Sequence, residues 1–355
     1  MKRIDLYKKQ QMLLFLRTKN NKKARRKKRK NEGKTASLVV TLTVPPNMNL
    51  DADFEETASF FIAIKNLFFK EKMHLFFNFA NLKEISPAAG LLLVSEIYRL
   101  KQKSHSDRHR PSWVNGNFPE DEIVWFLLDE LGFYNLLNIP RKQHQYEIPD
   151  VKFIKYVSGN ILIGERLAEF LEKISLFRFI ESVDFATSKK PYESLAESIA
   201  NVLHHAYPQS QARKYPVLPN QWWMSGHINE KEKSVSLMFY DQGVGIPYTL
   251  PTTYFKYFSI PLILEPTDSK YIQKAVQLGE TRTKAQGRGN GLADMVSFIK
   301  SLNIRPEVQA MLRITSNKGQ YLCTKDGEKA MDFQHSIFGT LIEINVKRID
   351  IHAEA

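Results

Sequence analysis

Apolar residues recur along this chain with two distinct periods, and the switches between them lay out its elements. Ser37 to Pro45 (SLVVTLTVP) is rich in β-branched residues and predicts a strand. Asp51 to Lys70 changes to helical spacing, with Phe60, Ile64, Leu67 and Phe68 on one face and Asp51 or Asp53 placed to cap it. HLFFNFAN (His74 to Asn81) predicts a buried strand, and Pro87 to Leu100 a helix with proline in its first turn. PSWVNGNFP predicts another short strand, and Asp121 to Leu137 a strongly apolar helix. Strands alternating with helices imply a small α/β domain, assigned to 35–142. RKQHQYEIPD (Arg141 to Asp150) is polar and aperiodic, and marks its boundary.

The following domain, 150–350, opens with helices over Gly164 to Ile174 and Pro191 to Tyr207. A hairpin follows, Trp222 to Asn229 and Ser234 to Tyr240 flanking the turn-like EKEK. Pro247 to about Arg288 reads as irregular, Gly291 to Leu302 as a helix, and Met311 to Ser316 and Leu341 to Val346 as closing strands. Trp222 and Trp223 are expected to pack on the sheet. The whole is an α+β chain.

One helix carries an unusual polar stripe. In SLAESIANVLHHAY (Ser194 to Tyr207), Glu197, Asn201 and His205 recur every fourth residue. At about 100° per residue they fall within roughly 80° of one another, opposite Leu195, Ile199, Val202, Leu203 and Ala206. A wet surface face explains this, and so does a site. The stripe holds no Lys or Arg, and Asn in a helix interior needs a local reason. His205 either orients a contact or simply ends the stripe.

Charge changes the picture at one end. Residues 1–34 hold 15 Lys and Arg against two acidic residues, so the whole net charge of +13 sits there and the remainder balances. The block KKARRKKRK (Lys22 to Lys30) repels itself, and a disordered tail is expected. Such an arm suits nucleic acid or an anionic membrane surface. No apolar run approaches the ~20 residues that span a bilayer, so the chain is not expected to be transmembrane. Met12 to Leu16 is too short for a secretory core, and the basic cluster follows it. The single cysteine, Cys323, excludes disulfides and Cys-based zinc sites within the chain and fits a cytoplasmic protein.

Three glycine-bearing motifs supply candidate chemistry. YDQGVGIP (Tyr240 to Pro247) puts Asp241 at a strand end before Gly243 and Gly245, which permit close backbone approach. GRGNGL (Gly287 to Leu292) precedes a helix and frees backbone N–H groups for an anion. GTLIEI (Gly339 to Ile344) opens the last strand with a hydroxyl residue.

Taken in order, ExxxN, DxGxGIP, GxGxGL and GT resemble the four boxes of the GHKL superfamily of ATP-binding domains. The resemblance implies a Bergerat-type α/β sandwich that binds ATP and Mg²⁺. It implies Asn201 at the magnesium ion and Glu197 as the catalytic base for a water or hydroxyl. Asp241 would accept from the adenine amino group, with Thr340 beside it, and Gly243 and Gly245 would admit the base and ribose. Gly287, Gly289 and Gly291 would wrap the phosphates at a lid, with Arg288 as a charge partner. The spelling EsiaNvlhHAY is most similar to the bacterial anti-sigma serine-kinase branch. That implies a regulatory kinase or slow ATPase acting on a protein partner, a regulator or sigma-like factor, or else an ATP-gated binder without catalysis. A second copy of the chain is a further candidate partner.

The first domain resembles the STAS fold of anti-sigma-factor antagonists, with HLFFNFAN before LKEISPAAGLLLVSEIYRL. Aligned on Gly90 and Leu91, Pro87, Ala88 and Ala89 stand where an acidic residue and two serines would be. Ala89 therefore replaces the phosphoacceptor, and Ser86 lies three residues too early.

Overall fold

Exposed and half-buried residues alternate in Val39–Thr43 (β1), and half-buried and buried ones in His74–Asn78 (β3). β1, β3 and Val114–Gly116 (β5) form a parallel three-stranded sheet in the order β1-β3-β5. Two short strands, Asn47–Met48 (β2) and Glu84–Ile85 (β4), pair beside it. The crossovers are helices, Phe54–Lys65 (α1) and Pro87–Ser106 (α2), as parallel strands require. The structure is a computed structural model and describes residues 39–106, 114–137, 139, 150–162, 164–175, 189–209, 213–250, 266–282 and 291–350. The basic tail, the 141–149 boundary and Gly287, Arg288 and Gly289 lie outside these.

Asp53 occupies the cap position of α1 but makes no side-chain cap bond. Asp51 instead pairs with Arg313, far along the chain. Helix α1 runs on into a π-turn, Asn66–Lys70. At α2 the hydroxyl of Ser86 accepts from the Ala89 N–H at 3.3 Å, so Ser86 is the helix cap. The apolar stretch after Asp121 is two helices, Glu122–Leu131 (α3) and Phe133–Leu137 (α4), because Gly132 turns left-handed between them at φ +89°.

The second sheet has seven strands in the order β11-β10-β9-β12-β8-β7-β6, every pair antiparallel. Its members are Val151–Gly159 (β6), Trp222–Asn229 (β7), Ser234–Asp241 (β8), Val308–Ser316 (β9), Gly319–Thr324 (β10), Gly327–Asp332 (β11) and Thr340–Arg348 (β12). The helices are Gly164–Ser175 (α5), Lys189–Asn201 (α6), Ile246–Thr249 (α7), Asp268–Arg282 (α8) and Gly291–Asn303 (α9). Strand periodicity sorts the side chains cleanly. Trp222, Met224, Leu237, Phe239, Leu312, Ile314, Ile342 and Ile344 share one core with Leu167, Ile199, Ile272, Val276, Met295 and Ile299 from the helices. Trp223, Ser225, Tyr240 and Glu343 belong to the alternate set, and all are buried.

The N-terminal module buries that second face. Residues 39–355 form one compact unit. The Tyr98 ring of α2 meets Trp223 edge-on at 5.9 Å, and Phe153 of β6 lies against Gly90. Phe54 stacks on Phe333 at 3.6 Å, and the Glu55 carboxylate accepts from the backbone N–H groups of Gln334 and His335. The fold is mixed α+β, with a helix layer, a sheet, and an α/β module on the far side.

Five elements correct the sequence reading. Strand β6 was not expected, since a bulge between Ile154 and Val157 breaks its alternation. Strand β11 (GEKAMD) is exposed throughout and so carries no apolar pattern, while its partner β10 was also missed. Helix α8 lies inside the stretch read as irregular, because Ile272 and Val276 are its only deeply buried apolar residues among those described. The helix expected to reach Tyr207 is α-helical only to Asn201 and then widens into a π-turn, Val202–Ala206.

Candidate functional site

The site gathers where β8 ends, β12 begins and α6 meets α9. Asp241 closes β8 and pairs directly with Thr340 of β12. Its side chain is 4 % exposed. Gly243 donates its N–H to Asp241 Oδ1 at 2.7 Å, while Oδ2 takes no hydrogen bond from any described residue. Burial raises the carboxyl to about 7, against the lowering effect of that N–H and of the Arg213 guanidinium. An acceptor oxygen held at a strand end in a dry setting is suited to a neutral N–H donor on a ligand.

Close approach explains the glycines. A Cβ on Gly243 would stand 2.5 Å from the Ala206 carbonyl, which accepts from the Val244 N–H at 2.9 Å. The π-turn after Asn201 thereby delivers Ala206 onto the Asp241 turn and locks the two segments together. Gly245 has φ +84°, and a Cβ there would meet Asn317. Gly339 sits so close to the Asp241 carbonyl that a Cβ would lie 1.9 Å from its oxygen. Thr340 and Ser316 share a hydroxyl contact at 3.1 Å, and Ser316 Oγ also takes the Ile246 N–H at 2.8 Å.

Glu197 and Asn201 are half-buried on α6 and carry no side-chain partner among the described residues. Helix α9 starts directly against them. A Cβ on Gly291 would stand 2.0 Å from Glu197 Cγ. Gly291→Ala should therefore force α6 and α9 apart and lower the urea midpoint by the equivalent of about 1–3 kcal/mol, outweighing the gain in helix propensity. An unchanged or higher midpoint would show that the two helices do not touch there. His204 and His205 are both exposed. Unlike the half-buried Asn201, His205 lies in the π-turn beyond the α-helical part of the segment.

Several participants were not foreseen. The Tyr207 hydroxyl donates to the Gln221 carbonyl at 2.6 Å and accepts from the Gln242 N–H at 3.0 Å. Arg213, a few residues further along the chain and marked by no motif, stacks on the Tyr207 ring at 4.9 Å. Tyr207 was legible only as the end of the apolar helix face. Trp222 and Trp223 pack on the two faces of the sheet, as expected.

The donor set fits a magnesium nucleotide. Glu197 and Asn201 offer oxygen atoms one turn apart, and no group of three His, Cys, Asp or Glu among the described residues could hold an ion unaided. Oxygen donors of this kind suit a hard cation. A separate cleft of about 310 Å3 lies between β6 and α5, lined by Lys155, Arg166, Glu169 and Lys173, and shares no residue with this constellation. Among the described residues no helix is long and apolar enough to cross a membrane. No protein-family model matches the chain, and no curated protein matches its sequence.

Proposed function

We propose that this chain binds ATP with magnesium in a GHKL-type site and uses it to control a protein partner. The observation that carries this is the buried Asp241 carboxylate, one oxygen held by Gly243 and the other without a hydrogen bond from any described residue, opposite Thr340 and in a turn that packs on Ala206. A seven-stranded antiparallel sheet is common to many folds, so the reading rests on this site and on the order of the four boxes.

Within it, Asp241 would receive the adenine amino group and Asn201 would help to hold the magnesium ion. Magnesium neutralises phosphate charge when bound. Glu197, one turn from Asn201, accepts a proton from the attacking water or hydroxyl. Asn201→Ala should weaken titration by Mg·ATP at least about tenfold, the cost of one lost ligand interaction. Glu197→Ala should leave binding near wild type and cut γ-phosphate release or transfer by about 10²–10⁴-fold. Following labelled γ-phosphate with the protein alone and in lysate separates the outcomes. Label on a protein supports a kinase, free phosphate an ATPase, and neither an ATP-gated binder. Equal Mg·ATP affinity of wild type and Asn201→Ala would sink the metal assignment.

The ATP-gated reading draws on one further observation. Ala89, which the resemblance aligns with the STAS phosphoacceptor, is fully buried and carries no hydroxyl, so on that alignment the module offers no substrate in cis. In that reading the basic tail, residues 1–34, supplies the contact with nucleic acid or an anionic surface.

A further inference from the structure

Beneath the nucleotide site the molecule buries three charges. Lys65 of α1, and Glu96 and Arg99 of α2, are each 1 % exposed. Lys65 Nζ lies 2.7 Å from Glu96 Oε1, and Arg99 pairs with Glu96 Oε2. Two cations share one carboxylate, so the cluster is net positive in a low-dielectric interior. Such clusters rarely add stability over apolar residues of similar volume.

The cluster reaches the site through one residue. Strand alternation turns Asp241 toward the helix layer and its neighbour Gln242 toward α2. Gln242 Nε2 lies 3.4 Å from both Ser95 Oγ and Glu96 Oε1, while its backbone N–H is held from the other face by Tyr207. Gln242 Oε1 and Arg99 Nε are buried without a hydrogen-bond partner, so the network is only partly satisfied. In a low-dielectric interior such unpaired groups are costly, so a rearrangement that pairs them is favoured. Tyr207 and Tyr240 both feel the charges of Asp241 and Arg99, which places site and cluster in one electrostatic neighbourhood.

We infer that Gln242 is a positioning residue that couples occupation of the nucleotide site to the seating of α2 on the sheet, through the buried Lys65–Glu96–Arg99 cluster. The inference rests on the nucleotide reading above. Its sign follows from charge. A ligand N–H on Asp241 favours the carboxylate, and that anion favours the net-positive cluster beneath it. Linkage makes the effect reciprocal, so a well-seated α2 also raises nucleotide affinity. The N-terminal module thus becomes the part of the molecule that reports the nucleotide.

Hydrogen exchange of the full chain, with and without Mg·ATP, tests this, with affinity measured by calorimetry. In the wild type, Mg·ATP should slow exchange across residues 93–100. Gln242→Leu should lose that nucleotide-dependent protection and bind Mg·ATP about fivefold more weakly. Ser95→Ala, a milder change, should shift both in the same direction. Trp223→Phe loosens the same interface without touching the cluster, and should lower the melting temperature yet keep the protection. Binding without protection of 93–100, or protection that survives in Gln242→Leu, overturns the coupling and leaves nucleotide binding intact. No heat of Mg·ATP binding in the wild type overturns both.

Discussion

Replacing Asp241 with Asn should weaken Mg·ATP binding by roughly 100-fold while making the folded chain more stable above pH 7. The first effect is the loss of a charge-assisted acceptor in a dry site. The second follows from burial. Folding lifts the Asp241 carboxyl from 3.8 to about 7, so the folded chain holds a proton that the unfolded chain releases. Stability contributed by the protonated group is intact below pH 4 and is lost as pH rises toward 7. Asn carries no such penalty. The variant's advantage should therefore grow between pH 4 and 7 and then level off, with a ceiling on the order of 4 kcal/mol. The buried amide offsets part of this, since its NH₂ needs partners. Chemical unfolding at several pH values, beside calorimetry with Mg·ATP, measures both. Unchanged affinity removes the adenine assignment, and a stability difference flat in pH removes the electrostatic account of Asp241.

Glu96→Gln should be among the most damaging single changes in the molecule, costing about 3–5 kcal/mol, because it strands Lys65 and Arg99 without an anion. Replacing all three, as Lys65→Met, Glu96→Leu and Arg99→Met, should restore most of that loss. Burial already lowers Lys65 to about 8, with Glu96 opposing it. The unfolded chain thus binds more protons than the folded one between about pH 8 and 10.5. Wild-type stability from this group rises with pH across that window. Without Glu96 the Lys65 value falls further and the rise begins at lower pH. Urea midpoints across pH 6–10 read this directly. A single variant no worse than the triple would show that the cluster is solvated and not a buried charge network.

How far the sequence reaches depends on how local the signal is. β3, α2, β7, β8 and α9 follow from apolar period and punctuation within about ten residues. β6, β11 and α8 do not. A bulge, an exposed edge and a narrow apolar stripe each erase the period that would reveal them. The candidate site behaves the same way. Asp241, Gly243, Gly245, Gly291, Glu197, Asn201 and Thr340 sit in short motifs; the structure pairs Asp241 with Thr340, sets Gly291 against Glu197, and ties the turn after Asp241 to the π-turn after Asn201. Tyr207, Ser316 and Gln242 join them through contacts 24 or more residues distant, although Tyr207 and Gln242 stand inside quoted motifs, and Arg213 joins by stacking on the nearby Tyr207.

The sequence by itself determined which residue types stand ready: an acid before a Gly-x-Gly turn, a Glu and an Asn one turn apart, and a positive tail on a balanced body. It also determined that a small α/β module comes first and that one hairpin and two closing strands follow it. Only the tertiary structure decided that this module covers the sheet's second face, that α6 ends in a π-turn against Gly243, and that Lys65, Glu96 and Arg99 share the interior below Asp241. Period and spacing fix what a segment buries. Which surface it is buried against depends on shape and charge matched between residues far apart in the chain, and that match is made only when the chain folds.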